Sequence, residues 1–163
     1  MISQERLKEL LHYDPNTGIF VWRVRKARNT NIGDVAGWLK PGDKGGYIMI
    51  CVDYKQYRAH HLAWLWMTGK WPIEQIDHKN AVRNDNRFSN LRDVSDEINR
   101  QNVRTARSHN ALGVLGVFRK RGKFAAKIGC NRKQQYLGTF NTPELAHAAY
   151  LDAKRRLHPG CTI

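Results

Sequence analysis

The feature that most constrains this chain is a polar segment, residues 75–102, in which asparagine and aspartate are unusually dense. Its sequence is QIDHKNAVRNDNRFSNLRDVSDEINRQN. Asparagine and aspartate hydrogen-bond to their own backbone and tolerate turn conformations, so such a segment is either a loop of defined shape or disordered. The ordered alternative is favoured, because LRDV is typical of a short strand and Ser95 is a good cap for a helix that begins with Asp96 and Glu97.

Asp77 and His78 are adjacent within this segment. If they end a strand, their side chains point to opposite faces of it. Cleavage of a phosphodiester needs a polarised phosphate, a stabilised leaving oxygen and an activated water, which one hard metal ion and a base can supply. We hypothesise that Asp77 binds the metal, that His78 faces the attacking water and that Asn99 supplies a neutral oxygen ligand. Taken singly, a histidine such as His78 is more often structural than catalytic.

The ordered set of polar residues is more specific than its members. Along the chain it comprises Asp77-His78, Asn84-Asp85-Asn86, Asn90-Leu91 and Glu97-Ile98-Asn99. This set resembles the HNH motif of phage and intron-encoded homing endonucleases, in which strand, loop, strand and helix form a ββα-metal fold. The resemblance implies that His78 is the general base, that Asp77 and Asn99 are metal ligands, and that Asn90 pins the loop by hydrogen bonds. The third letter of the motif is Asn99 here rather than His, and an all-oxygen site favours Mg²⁺ or Mn²⁺ over zinc.

The sequence before this motif predicts two helices and several strands. We expect a helix over residues 3–12 capped by Ser3, a turn at DPNTG and a strand at IFVWRVR. After a loop with Gly42, Gly45 and Gly46, the run YIMICVDYKQYRAHH predicts a hairpin and HLAWLWMTG a short helix. The segments LLHYDPNTGIFVW and YRAHHLAWLWMTGKWP also resemble the usual lead-in to the HNH motif, so the resemblance covers nearly all of residues 1–102.

Four large side chains in this lead-in have simpler interpretations than catalysis. Trp64 and Trp66 are expected to anchor the hydrophobic core rather than to stack on bases. His60 and His61 are expected to pack in the interior or to contact phosphates.

The charge of the chain points to a polyanionic partner. Lys and Arg number 28 against 14 Asp and Glu, and residues 103–163 alone hold 12 basic and 2 acidic residues. Such an excess suits nucleic acid or an anionic membrane, although a basic surface that serves only solubility is the alternative. Because the excess is concentrated in the last third, that region is the stronger candidate for binding phosphates.

The last third has the pattern of a small α+β module. VLGVFRK, KFAAKIG and QQYLGTF predict three short strands, and Thr142-Pro143-Glu144 is a good start for a helix. That helix places Ala146, Ala149, Tyr150, Ala153 and Leu157 on one face. The basic connector over residues 104–112 separates a predicted nuclease domain, 1–106, from a predicted DNA-binding domain, 107–163.

Basic residues on these strands can form a positive sheet face that enters a major groove. GVFRKRGKFAAKIG and YLGTFNTPELAHAAYLDAKRRLHP resemble the ethylene-response-factor (apetala-two) DNA-binding domain, which binds DNA through a three-stranded sheet. Leu115, Phe118 and Phe124 depart from the residues usual in that family, so only the docking mode is implied. The residues predicted to bind DNA are Arg119, Arg121, Lys123, Phe124, Lys127, Arg132, Lys133 and Tyr136.

Together these observations predict an α+β protein with a ββα-metal HNH nuclease domain, N-terminal strands, and a three-stranded antiparallel sheet packed on one helix. The expected function is a site-specific, Mg²⁺- or Mn²⁺-dependent endonuclease acting on double-stranded DNA, of homing type. A non-catalytic DNA-binding regulator that keeps the HNH scaffold is the alternative. An RNA-binding protein is a third class, which rests only on charge and a sheet bearing aromatic residues.

The remaining features of the sequence concern its cysteines, its cellular location and its oligomeric state. Cys51, Cys130 and Cys161 are widely spaced, which argues against a zinc knuckle or a disulfide framework. The N-terminal segment is amphipathic and charged, and no stretch approaches membrane-spanning length, so we expect a cytoplasmic protein of a bacterial or phage-infected cell. The sequence leaves open whether the protein is a monomer or a homodimer.

Overall fold

The computed structural model describes residues 1–40 and 46–163, and it is a mixed α+β structure with small sheets and four helices. By internal contacts the chain divides into two compact units, Met1–Ser95 and Asp96–Ile163. This division lies ahead of the boundary expected after residue 106, so residues 96–106 group with the second unit. Of the expected glycine-rich loop, Gly42 and Gly45 lie outside the described residues.

The first unit begins with helix α1, Gln4–Leu10, whose N-cap Ser3 accepts a hydrogen bond from the Arg6 amide at 3.2 Å. The helix predicted over residues 3–12 is therefore too long. Leu11–Asp14 instead forms strand β1, which pairs antiparallel with β2, Ile19–Trp22. The helix ends before Leu11 because Leu11 and Tyr13 are both buried while His12 between them is exposed. Burial of every second residue is possible in a strand and not in a helix.

The middle of the first unit is a three-stranded antiparallel sheet followed by a helix. Its strands are β3, Trp38–Leu39, β4, Ile48–Val52, and β5, Lys55–Arg58, in the order β3-β4-β5. Helix α2, Ala59–Thr68, follows at once and ends at Gly69 in the left-handed conformation. The predicted hairpin extended beyond the end of β5, since His60 and His61 belong to α2. Trp64 and Trp66 pack against the core, as expected.

The polar segment folds into a two-stranded antiparallel sheet. Strand β6, Gln75–His78, pairs with β7, Leu91–Val94, which is the strand predicted from LRDV. A short 3₁₀ turn, Phe88–Asn90, leads into β7. The segment is therefore an ordered loop between two strands, and the alternative of disorder is wrong.

The second unit opens with the six-residue helix α3, Asp96–Gln101. Three antiparallel strands follow in the order β10-β9-β8, and helix α4, Pro143–Leu157, packs against them. The strands are β8, Val117–Lys120, β9, Lys123–Cys130, and β10, Lys133–Phe140. Thr142 caps α4 by accepting a hydrogen bond from the Leu145 amide at 3.3 Å. The predicted strands and the predicted helix start are present in this unit.

The cysteines and the length of the apolar helices bear on the remaining expectations. All three cysteines lie in the described part of the chain and are free thiols. Across residues 1–40 and 46–163, no helix combines the length and the apolar character needed to cross a membrane.

The β1–β2 hairpin supports the backbone of the β6–β7 loop. The Tyr13 hydroxyl donates to the Asn86 carbonyl at 2.6 Å, and the Phe88 amide donates to the Pro15 carbonyl at 3.0 Å. Gly18 has a φ of +76°, and a Cβ there would lie 2.5 Å from the Arg87 nitrogen. The loop and the hairpin thus meet backbone to backbone, at a distance that only glycine permits.

We expect Gly18→Ala to lower the free energy of unfolding by more than about 3 kcal/mol, because left-handed strain adds to a collision with backbone. Gly33→Ala is the matched control, since Gly33 has a φ of +91° but a Cβ there would meet nothing within 4 Å. In Gly33→Ala only the left-handed backbone conformation is unfavourable, so its free energy of unfolding is expected to fall by about 1 to 2 kcal/mol. Equal losses in the two variants, measured by chemical denaturation, would contradict the close approach of loop and hairpin.

Candidate active site

The β6–β7 hairpin places Asp77 and His78 at the end of a strand. Both are buried, with exposed fractions of 7% and 3%. Asp77 lies opposite Arg92 in the register of the hairpin, and His78 lies opposite Leu91. Because side chains alternate along a strand, the carboxylate and the imidazole project to opposite faces.

His78 is held by an amide from the adjoining loop. Its Nε2 lies 3.2 Å from Oδ1 of the buried Asn86. An amide oxygen only accepts, so the ring donates its Nε2 proton there and, when neutral, carries its lone pair on Nδ1. Burial lowers the pKa of His78, although the Asn86 hydrogen bond and the charge on Asp77 act in the opposite direction. The ring is therefore neutral near pH 7, which is the form that a general base requires.

Two further histidines from α2 surround His78. The ring of His60 stands edge-on to His78 with centroids 4.9 Å apart, and His61 stands edge-on to His60 at 4.5 Å. Burial, reinforced by His61, His78 and Arg58, lowers the pKa of His60 to about 2. Among the described residues, the buried Nδ1 of His60 has no hydrogen-bond partner. His60 is thus a neutral packing group at neutral pH, in line with the structural interpretation of this residue.

Two arginines that the sequence did not single out lie beside this histidine cluster. The guanidinium groups of Arg58 and Arg83 lie 4.9 and 5.2 Å from the ring centroid of Tyr47, and the ring of Tyr47 is 6.1 Å from that of His78. Both arginines are exposed. Guanidinium groups bind phosphate through charged, directional hydrogen bonds, so this pair has the chemistry needed to bind a phosphate next to His78.

Asp77 forms an ion pair across the hairpin. Its Oδ2 accepts hydrogen bonds from Nε and Nη2 of Arg92 at 2.9 and 2.7 Å. A buried carboxylate needs such compensation, because an unpaired charge in the interior is costly. A carboxylate is also an oxygen donor of the hard type that Mg²⁺ prefers.

Asn90 closes the loop between the two strands. Its Oδ1 accepts from the Asn80 amide at 3.0 Å, and its Nδ2 donates to the Asp85 carbonyl at 2.8 Å. Its own carbonyl accepts from the Lys79 amide at 2.9 Å. One side chain thus joins both ends of the loop, as the HNH resemblance implied.

Asp85 adds a second set of contacts inside the same loop. Its carboxylate accepts from Arg87 at 2.5 and 2.8 Å and from the Asn80 side chain at 2.7 Å. The hydrogen bond from Arg87 is the main cause that lowers the pKa of Asp85 to about 2. The density of asparagine and aspartate in this segment therefore serves the shape of the loop.

Residues 57–101 match the family model described as HNH endonuclease. This segment is an HNH endonuclease domain. It runs from strand β5 through helix α3 and includes Asp77, His78, Asn90 and Asn99. The match indicates a nuclease that acts on DNA. Neither the curated proteins nor the solved structures include a match to the chain.

Asn99, the predicted second metal ligand, lies in α3 of the second unit and is half-buried. Its role, and the ββα-metal arrangement that the role requires, stay predictions. Within residues 1–40 and 46–163, no group of three or more His, Cys, Asp or Glu side chains is placed to hold a metal ion. A site of one carboxylate and one amide is of a different kind, because water and phosphate oxygens complete its coordination shell.

The residues predicted to bind DNA in the second unit do not share one face of its sheet. Arg119 lies opposite Phe124 in the register, and Phe124 packs against the core beneath α4. Lys133 pairs with Cys130, which alternation places on the same side as Ile128 of that core. The expectation of a single positive face is thus wrong for Arg119, Phe124 and Lys133, because they lie on the face of the sheet that packs against α4. Arg121 and Arg132 occupy the turns, with φ of 49° and 60°.

The face away from α4, here called the open face, carries Lys123, Lys127 and Tyr136 of the predicted set. It also carries Phe118 and Lys120, which were not predicted to bind DNA. Lys127 Nζ lies 5.2 Å from the ring centroid of Phe118, and Lys120 Nζ lies 4.4 Å from that of Tyr136. Two lysines held over two aromatic rings form a cationic surface with flat apolar groups beneath it.

Proposed function

We propose that this protein is a divalent-metal-dependent, site-specific DNA endonuclease of homing type, in which His78 is the general base. The observation that carries the proposal is the neutral, buried imidazole of His78 beside Asp77, held by Asn86 within the HNH endonuclease segment. The neighbouring Arg58 and Arg83 supply positive charge for a phosphate. Together they provide a base, a carboxylate for a metal ion and a phosphate-binding surface.

His78 takes a proton from a water molecule as the water oxygen attacks phosphorus. The bond between phosphorus and the 3′ oxygen breaks, and that oxygen is protonated from solvent, so the products carry a 5′ phosphate and a 3′ hydroxyl. Asn86 keeps the imidazole oriented, because its Oδ1 accepts a hydrogen bond from Nε2–H of His78. Arg58 and Arg83 bind phosphate oxygens and thereby neutralise charge on the strand.

Asp77 and Asn99 are the residues that would hold Mg²⁺ or Mn²⁺, which would polarise the scissile phosphate and stabilise the leaving oxygen. The donor set fits such an ion, because a carboxylate and an amide are hard oxygen ligands. The Asp77 carboxylate forms an ion pair with Arg92. A cation at this carboxylate would replace part of the compensation that Arg92 provides.

The second unit is proposed to supply most of the affinity for double-stranded DNA. Its support is the excess of 12 basic over 2 acidic residues in 103–163 and the exposed lysines of the open face. The resemblance to the apetala-two domain implies docking through this sheet.

One active site per chain makes nicking by a monomer the simpler form of the reaction, and a homodimer would cut both strands. We place the reaction in the cytoplasm of a bacterial or phage-infected cell, where its DNA substrate lies.

One observation favours a second candidate, a DNA-binding regulator that keeps the HNH fold as a scaffold. The ion pair with Arg92 gives Asp77 a structural role that needs no metal ion. A regulator of this kind would bind DNA without breaking it, so a cleavage assay separates the two candidates.

We expect His78→Ala to abolish Mg²⁺-dependent nicking of supercoiled plasmid DNA while the Kd for DNA stays within about threefold, because the base is lost and the phosphate contacts remain. His12→Ala is the matched control, since His12 is an exposed histidine of the same unit. It is expected to cut at the wild-type rate. Undiminished nicking by His78→Ala would contradict the assignment of the base, and absence of nicking by the wild type would favour the regulator.

We expect the double substitution Lys120→Gln and Lys127→Gln to weaken DNA binding and to reduce the slope of log Kd against log salt by up to about 0.9 per lysine, because fewer counterions are released. Lys55→Gln with Lys70→Gln, two exposed lysines of the first unit, is the charge-matched control. Fluorescence anisotropy over a salt series provides the measurement. Equal slopes for the two double variants would argue against docking through the open face.

A further inference from the structure

The ring of Tyr47 contacts both the exposed arginines and the buried histidines of the first unit. The guanidinium carbons of Arg58 and Arg83 lie 4.9 and 5.2 Å from its centroid. The same centroid is 5.1 Å from that of His60 and 6.1 Å from that of His78, which are ordinary separations for packed rings. One half-buried side chain thus joins the groups proposed to bind phosphate to the group proposed to accept a proton.

The three-stranded sheet of the first unit fixes the position of this ring. The Lys40 amide donates to the Tyr47 carbonyl at 3.2 Å, which continues the β3–β4 pairing by one residue. Met49 pairs with Arg58 in the β4–β5 register, and Tyr47 lies two residues before Met49. Because side chains alternate along an extended chain, Tyr47 and Arg58 lie on the same side of the sheet.

Arg83 reaches the same ring from the β6–β7 loop. The backbone of the loop is held on both sides of this residue, since the Val82 amide donates to Oδ1 of Asn80 at 2.9 Å and the Asp85 amide donates to the Val82 carbonyl at 3.1 Å. Both arginines therefore extend from an ordered backbone, and Tyr47 is the aromatic group that their guanidinium groups share.

An aromatic ring differs from a carboxylate in its effect on a guanidinium group. Arg87 forms an ion pair with Asp85, which neutralises the charge of that arginine. In the part of the chain that the structure describes, no carboxylate lies within ion-pair distance of Arg58 or Arg83. A ring attracts a cation to its electron-rich face but carries no net charge. Both arginines are thus restrained while their positive charge stays available to an anion.

This restraint has a consequence for binding. An exposed arginine occupies many rotamers, and a phosphate that binds it must restrict them. Two like charges also repel each other, so without a common partner the two guanidinium groups would move apart. Contact with Tyr47 restricts both side chains and keeps the two charges near one ring before any phosphate arrives.

We propose that Tyr47 positions Arg58 and Arg83 so that both guanidinium groups bind the DNA strand next to His78. The inference rests on the proposed function, in which the arginines bind phosphate oxygens and His78 is the general base. Tyr47 is a positioning residue, because it acts through the two arginines. The property that matters is its aromatic face, and the phenol hydroxyl is not required.

Two substitutions in the full chain separate the ring from the hydroxyl. Tyr47→Leu keeps an apolar side chain at this half-buried position but removes the aromatic face, and Tyr47→Phe keeps the face and removes the hydroxyl. Tyr54→Leu is the matched control, because Tyr54 is a fully exposed tyrosine of the same unit. For each protein we would measure kcat/KM for Mg²⁺-dependent nicking of duplex DNA.

Tyr47→Leu is expected to lower kcat/KM about tenfold, since two cation–π contacts at exposed arginines are lost. Tyr47→Phe and Tyr54→Leu are expected to stay within about twofold of the wild type. Normal nicking by Tyr47→Leu would overturn the inference. Failure of Tyr47→Phe to restore nicking would overturn it also, because the hydroxyl and not the ring would then be the group in use.

A double-mutant cycle distinguishes positioning from general support of the fold. In a background that carries Arg58→Gln and Arg83→Gln, Tyr47→Leu is expected to change kcat/KM by less than about twofold, because the groups through which it acts are already gone. A tenfold loss in both backgrounds would show that Tyr47 supports the structure independently of the arginines, and would overturn the inference.

Nuclear magnetic resonance of the arginine side chains tests the same contact without any cleavage. In the wild type and in Tyr47→Phe, the ring is expected to shift the side-chain protons of Arg58 and Arg83 upfield, and both Nε–Hε signals are expected to move when duplex DNA is added without divalent metal. In Tyr47→Leu the upfield shifts are lost.

This measurement separates failure of the inference from failure of the proposed function. If the wild type does not cut DNA, the proposed function fails, and the effect of Tyr47 on cleavage falls with it. The positioning of the arginines is then decided by the spectra alone. Side-chain shifts of Arg58 and Arg83 that are the same in the wild type and in Tyr47→Leu, or Nε–Hε signals that do not respond to DNA, would overturn it.

Discussion

The hydrogen bonds of the Asn90 side chain are the interaction on which the candidate site depends. Through them Asn90, at the end of the β6–β7 loop, is joined to the Asn80 nitrogen near the start of the loop and to the Asp85 carbonyl in its middle. Asn86 follows Asp85 directly, and its amide oxygen is the group that orients His78. An amide suits this position because it donates and accepts at once, whereas a carboxylate of the same shape only accepts when ionised.

The electrostatic character of the site follows from what surrounds that loop. His60 and His78 are buried and His61 is half-buried, and burial is the main cause that lowers the pKa of each. The exposed Arg58 and Arg83 place positive charge at the surface beside these histidines. A neutral base in the interior and cations at the surface form an arrangement that attracts a phosphate without protonating the histidine that must accept a proton.

The parts of the fold that the sequence predicted well are those with local signals. The cap at Thr142, the left-handed end of α2 at Gly69 and the strand LRDV each depend on residues close together in the chain. Strand β1 was missed because its single leucine, Leu11, continues the helical spacing of α1, and only the pairing of β1 with β2 identifies the strand. Pairing that is distant in sequence overrides local preference.

The candidate site likewise contains residues that a local motif predicts and residues that only the packing of distant segments brings together. Asp77, His78 and Asn90 were predicted because they form an ordered motif, whereas Tyr47, Arg58 and Arg83 have no such spacing and meet only through the packing of β4, β5 and α2 around the hairpin. A signal for Arg58 was present in the sequence, since it lies two residues before His60. In the second unit, the register set by the β8–β9 turn sends Arg119 toward α4, and a shift of one residue would have reversed every side chain.

The ends left on cut DNA test the central claim most directly. A duplex library incubated with the protein and Mg²⁺ would be sequenced at its break points, with and without a chelator, and the chemistry of each end determined. We predict breaks at a recurring sequence, with 5′ phosphate and 3′ hydroxyl ends that disappear when the metal is chelated. Breaks that persist under chelation, 3′ phosphate ends, or no recurring break would contradict it.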